Sequence, residues 1–272
     1  MLNLSIAKKS IHESLASICL AAVGTVVFVT LFIWAMLEMG IEIMEFVSQI
    51  SFVRKILEVS LGIDVTGNLS INVLIAVCFT HAVVLTLAWT VIVATATRIT
   101  AGELERGTAD FLLSLPVRRS TVYCSASAAW LWASVVLAAS PLIGIGLGTL
   151  LFESQEPILL GQFVAPTVNS LFLNICVGSL ACMFGCIFNR RSLAVGVTVS
   201  IILTSTIINF LEPFLSVIGN IRFLSLLHYF RPVEVVRDGQ WPHEAILCLL
   251  VLTLIFFSIG LHIYVRKDIP SV

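Results

Sequence analysis

Six stretches of this chain run for about twenty residues or more without an aspartate, glutamate, lysine or arginine: Ile18–Leu37, Ile71–Thr97, Cys124–Phe152, Val164–Phe188, Leu193–Leu211 and Ala245–Val265. A helix rises about 1.5 Å per residue, so each run can cross a hydrocarbon layer of about 30 Å. Of the 272 residues, 58% are hydrophobic and 11% charged, against about 25% charged in a typical soluble domain. Too few polar side chains remain to solvate a globule of this size. Barrel strands would alternate over about ten residues, and these runs do not alternate. The sequence therefore predicts an all-α integral membrane protein with six transmembrane helices in a single domain, residues 1–272. The first run is too long for a removable signal peptide and lacks the small-residue cleavage pattern.

Lysine and arginine set orientation. Six spans place both termini on one side, together with ten of the fifteen basic residues and five of the sixteen acids. The side sums are +5 and −6, which recover the chain's net charge of −1. Both termini are expected to be cytoplasmic. All seven cysteines lie in or at the edge of spans, so no disulfide framework is implied. Cys182 and Cys186 share a helix face without an adjacent histidine or carboxylate, and read as small packing residues.

Three segments outside the spans carry pattern. Around residues 1–17, Leu4, Ala7, Ile11 and Leu15, continued by Ile18 of the first run, recur at helical spacing while Lys8, Lys9, His12 and Glu13 face away. The expectation is an amphipathic elbow helix in the membrane interface. Residues 38–70 hold another stripe, Ile43, Phe46, Val47, Ile50, Val53 and Leu57. Five charges between Glu42 and Glu58 argue for an external surface helix over a seventh span, since a central charge costs about 2.5–3.5 kcal/mol. Residues 212–244 contain three prolines and apolar patches too short to cross. There we expect short re-entrant helices, with Phe214 and Tyr229 held against the bundle and Arg231, Glu234 and Arg237 on the external rim.

Several chemistries are missing. Gly102 and Gly107 have phosphate-loop spacing, but Thr108 stands where the lysine belongs. There is no metalloprotease helix motif and no nucleophile elbow. Within the spans only His81 and His262 are ionisable apart from cysteine and tyrosine. We expect His81 to be a hydrogen-bonded packing residue and not a proton relay. No catalytic, cofactor-binding or metal-binding residue is assigned, and no nucleic-acid partner is expected.

The most charged run is GELERGTADFLLSLPVRRS, residues 102–120. Thr108 can cap a short helix whose first turn holds Asp110. Phe111, Leu112 and Leu115 form its apolar face, and Pro116 ends it. Such a ridge can rest on lipid or plug a groove on a soluble partner, where apolar anchors dominate binding and charges steer it.

The segment 102–122 resembles the E-x-E-x-G-T-x-x-x-L-L-x-x-P-[VI]-x-R stretch of ABC-2 type transporter permeases, the membrane subunits of type V ABC exporters. Glu103, Glu105, Gly107, Thr108, Leu112, Leu113, Pro116, Val117 and Arg119 match it. The resemblance implies that residues 98–121 are a coupling segment docking on a separate cytoplasmic ATPase. Glu103, Glu105, Arg106, Gly107, Thr108, Phe111, Leu112, Leu115 and Pro116 would form that contact. Lys8, Lys9 and His12 on the elbow helix would lie beside it. It further implies two ATPase copies binding ATP and Mg, a second permease chain completing the pathway, surrounding lipid, and the bacterial inner membrane. The alternatives are an ATP-independent secondary transporter or channel, and the membrane component of a cofactor-assembly system. Phe28, Trp34, Phe79, Trp89 and Phe172 are candidates for the dimer-facing surface.

Overall fold

A computed structural model describes residues 3–48, 70–102, 105, 117–154, 156–212 and 219–267. Among these the chain is helical, with no strand, and six helical segments are long and apolar enough to cross a membrane. Helix α1 is Leu4–Ser48. The second span is α2 (Ile71–Ala76), a 3-10 turn (Val77–Thr80) and α3 (Ala82–Thr97), closed by a π-turn at Arg98–Gly102. Then follow α4 (Arg119–Leu151), α5 (Val164–Ile187), α6 (Arg191–Leu211), the short α7 (Pro232–Asp238) and α8 (His243–Arg266).

Helix α5 is the centre of the bundle. Of its most apolar window 72% is buried, against 28% for α1, 22% for α6 and 17% for α8. The last three therefore present faces to lipid or to another chain. Helix α5 can be central because small residues, Gly178, Ser179, Ala181, Cys182 and Gly185, let neighbours approach closely. A methyl group on Gly178 would lie 2.5 Å from the Trp130 ring, and one on Gly185 only 1.9 Å from Thr100 Oγ1. Helix α4 uses the same device against α1. Gly144 and Gly148, one turn apart, accept Val29 and Ile33, and Thr30 Oγ1 donates to Gly144 O at 3.2 Å.

Pro141 sits inside α4 and has no N–H for the carbonyl of Leu137. The hydroxyl of Ser140 donates to that carbonyl at 2.8 Å, which keeps the backbone satisfied at membrane depth.

Helix α1 is one continuous element, which corrects the separate elbow over residues 1–17 and the separate helix expected after the first span. At 45 residues it is about 68 Å long, more than the thickness of a whole bilayer at about 45 Å. Its buried line is Ser10, Ser14, Ile18, Ala21, Thr25, Val29 and Ile33. The expected apolar stripe is split: Ile18 is buried, Ala7 and Ile11 are half-buried, and Leu4 (82% exposed) and Leu15 are exposed. Small hydroxyl residues pack inward because they permit close approach, while Lys8, Lys9, His12 and Glu13 remain exposed. Residues 49–69, which hold the rest of the expected outer helix, lie outside the described residues.

The second span is broken. His81 has extended backbone (φ −63°, ψ 134°) between the 3-10 turn and α3. Its Nδ1 accepts from Val83 N at 3.3 Å, capping α3. Its ring lies 4.6 Å from Phe28 and 5.9 Å from Phe32. His81 is a packing residue, and also the cap that permits the break. Phe79 is not on an outer surface: it is 1% exposed and stacks on Phe163 at 6.5 Å.

Candidate functional site

Polar side chains collect at the two ends of the bundle. Asn3 N donates to Ser125 Oγ at 2.7 Å, and Lys267 lies against the end of α5, so both ends of the described chain share one end of the molecule. We call this the terminal end. The chain of the charged segment 102–120 leaves and rejoins the bundle there, between the π-turn and α4.

The π-turn is the anchor of this end. A π-turn widens the helix by one residue and disturbs the usual i+4 bonding. Side chains fill the gap. Thr97 Oγ1 donates to Val93 O at 2.8 Å, and Thr100 Oγ1 donates to Ala96 O and Thr97 O, both at 3.4 Å. Arg191, the first residue of α6, folds its guanidinium back onto the same helix end. Its Nη2 donates to Ala94 O at 2.8 Å and its Nε to Thr97 Oγ1 at 3.4 Å. A cation at a helix C-terminus also meets the negative end of the helix dipole. Arg191 N donates to Glu105 Oε2 at 3.1 Å, which ties the start of the charged segment to the tight turn between α5 and α6.

Two further ties complete this end. Arg98 donates to the carbonyl of Glu13 at 3.1 Å and pairs with its carboxylate, joining the π-turn to α1. Arg119 Nη1 donates to Lys267 O at 2.6 Å, and Lys267 Nζ to Cys186 O at 2.7 Å, joining α4, α8 and α5. Burial lowers the pKa of the Lys267 ammonium. A void of about 10 Å³ borders Thr100, lined also by Tyr123, Ser127, Trp130, Cys182 and Tyr264.

Of the expected docking residues, Glu105 is described, exposed and bonded to Arg191. Glu103, Arg106, Gly107, Thr108, Phe111, Leu112, Leu115 and Pro116 lie outside the described residues. Lys8, Lys9 and His12 are exposed on α1, and Lys9 stands 3.9 Å from Glu13. Arg191, Glu13 and the π-turn escaped the sequence reading. Arg190 and Arg191 stand side by side in the sequence, and no local signal distinguishes them.

The opposite end carries a second polar cluster. Residues 219–238 fold as two 3-10 turns, Arg222–Leu224 and Leu226–Tyr229, followed by α7. Gly239 ends α7 in the left-handed region at φ 66°, where glycine is unstrained. Ser205 fastens the segment to α6: Ser225 Oγ donates to Ser205 O at 2.9 Å, and Leu226 N to Ser205 Oγ at 2.8 Å. Tyr229 OH donates to Phe223 O, while Tyr229 O accepts from Asn169 of α5. Glu212, at the end of α6, faces Arg222 at 3.2 Å, Arg231 at 3.5 Å and His228 at 3.8 Å. Arg231 also pairs with Glu234 at 3.1 Å, whereas Arg237 pairs with its neighbour Asp238. Phe214 lies outside the described residues. The hub, Glu212 with His228, was missed because its members are ten to nineteen residues apart in an irregular segment.

His228 makes this cluster sensitive to pH. Its Nδ1 lies 3.0 Å from Arg231 Nη2, a contact that needs an unprotonated acceptor. Burial and the Arg231 guanidinium lower its pKa, with Arg222 adding to this, against the opposing pull of Glu212 and Glu234. The folded state therefore holds the proton less well than the unfolded chain. The clasp should be intact above about pH 6.5, the ordinary histidine value, and weaken as pH falls through it. Amide exchange across residues 222–231 in nanodiscs should quicken between pH 7.5 and 5, and His228→Gln should flatten that dependence. Identical pH profiles for both proteins would remove His228 from the clasp.

The six long apolar helices define a multi-pass helical membrane protein. The chain belongs to the ABC-2 family of transporter proteins, whose family model matches residues 4–269. It is thus a membrane permease component of an ABC transporter, a transport component not itself catalytic, and association with an ABC ATPase follows from the family. No curated protein matches the chain.

Proposed function

We propose that the chain is half of the membrane pathway of an ATP-driven exporter. Two copies, or this chain and a related one, form the pathway. Two cytoplasmic ATPase subunits, which bind ATP and Mg, dock on residues 98–121. Both termini face the cytoplasm, in a bacterial inner membrane. The carrying observation is the convergence at one end: the π-turn, Arg191, Glu105, Arg98 and Glu13 tie the root of the charged segment to three helices. A displacement of that segment is then felt by α1, α3 and α6 together, as ATP-driven rearrangement requires. The absence of carboxylates from the six apolar runs weighs against an ion-coupled carrier.

Co-expression of the chain with the ATPase of its genetic neighbourhood tests this. The expected product is a membrane complex with equal numbers of the two subunits and ATPase turnover that responds to the permease. In the same cells an impermeant thiol reagent should label cysteine placed at Glu153 but not at Asn189. A chain that purifies alone and mediates substrate counterflow without ATP would establish the secondary-transporter alternative.

A further inference from the structure

We propose that Arg191 is the positioning residue that holds the inner end of the second span in its π-turn, and so sets the direction in which the coupling segment leaves the membrane. This rests on the exporter reading above.

The two sides of the turn are unlike. On one side Thr100 is wedged against Gly185, where a single methyl group would stand 1.9 Å from its hydroxyl. On the other side Thr100 borders the 10 Å³ void. The widened turn is thus jammed toward α5 and slack toward α4. Removing one residue's widening rotates everything beyond it by about 100°, the angle between successive residues of an α-helix. Such a rotation would redirect Glu105 and the segment that follows.

Arg191 is placed to choose between the two registers. Its guanidinium binds Ala94 O and Thr97 Oγ1 before the turn, and its backbone N–H binds Glu105 after it. One residue therefore spans the π-turn, and it belongs to a different helix, α6. Movement of the coupling segment must either carry α6 along or break these bonds. The planar guanidinium reaches its two acceptors from separate nitrogens, Nε and Nη2, held in a fixed fork that a lysine's single ammonium nitrogen does not reproduce. The Arg191 stem packs along the end of the turn, 3.6 Å from where a Cβ on Gly102 would be, an ordinary contact distance.

The test uses the complex with its ATPase in lipid nanodiscs, comparing Arg191→Gln, Arg191→Lys and the control Arg190→Gln. Amide exchange is read across residues 94–105, with and without a non-hydrolysable ATP analogue, alongside ATPase retention, kcat and KM for ATP. In the wild type the analogue should change exchange across the turn. Arg191→Gln should retain the ATPase and its KM. It should exchange about tenfold faster or more across the turn in both states, with kcat no longer differing from that of the free ATPase. Arg191→Lys should be intermediate and Arg190→Gln unchanged. Wild-type exchange and turnover in Arg191→Gln would overturn the proposal, as would a wild-type turn indifferent to nucleotide. Loss of the ATPase together with thermal stability in both Arg191 variants would reduce Arg191 to a structural role and also overturn it. If no ATPase binds the wild type, the exporter reading fails by itself, and the proposal falls with it.

Discussion

Gly178→Ala should lower the melting temperature of the purified protein, and Gly178→Val should prevent it from accumulating in the membrane. The added methyl group would stand 2.5 Å from Trp130 Cε3 and 3.0 Å from Cζ3. Trp130 is 1% exposed and packs on Phe257 with ring centroids 6.5 Å apart, so the indole cannot swing aside without moving α8. Overpacking of this kind costs about 1–3 kcal/mol, or about 2–4 °C per kcal/mol in a protein of this size. Gly146→Ala is the control, since nothing lies within 4 Å of its Cβ position. Trp130→Phe in the Gly178→Ala background should restore part of the loss, because the smaller ring vacates the contested space. Melting of Gly178→Ala at the wild-type temperature would mean that α4 and α5 are less closely packed than described.

Phe111→Ala with Leu112→Ala should release the ATPase and abolish ATP-driven transport while leaving the chain in the membrane. Neither residue lies in one of the six apolar runs, so insertion does not depend on them. On the docking reading they are the apolar anchors of a protein contact, where truncating one anchor costs about 2 kcal/mol or more, and about 1.4 kcal/mol is already tenfold in affinity. Glu105→Ala should weaken assembly less, since rim charges act mainly on association rate and salt dependence. Its bond to Arg191 N adds a second expectation: exchange at the start of α6 should quicken. Pull-down at matched membrane expression compares the variants. Retention of the ATPase by the double variant, with wild-type turnover, would leave residues 102–120 as an interfacial loop.

The spans were legible to within a few residues. The expected Val164–Phe188 is Val164–Ile187, and Ala245–Val265 is His243–Arg266. Hydropathy is a sum over local residues, so no folded structure is needed to read it. The continuity of α1 through Ser48 was not legible, because Glu42 and Glu45 argue against lipid without arguing against helix. The sequence reading took the end of a span for the end of a helix. The break at His81 was hidden for the converse reason: its surroundings stay apolar throughout, and only the imidazole cap and the Phe28 and Phe32 rings of α1 make extended backbone tolerable there.

What the sequence by itself determined is what depends on transfer between water and lipid: an all-helical membrane fold, six spans, and a charged segment between the second and third that is too polar to insert. Each of these is set residue by residue, by the cost of leaving a charge or an unpaired peptide group in hydrocarbon. The tertiary structure alone decided which helix lies at the centre and which charged residues meet. Arg191 and Ala94 are 97 residues apart, Arg98 and Glu13 are 85, and Arg119 and Lys267 are 148. Arg190 and Arg191 are chemically the same. Only the turn between α5 and α6 leaves the first exposed and folds the second onto the π-turn, where desolvated carbonyls give a guanidinium something to bind.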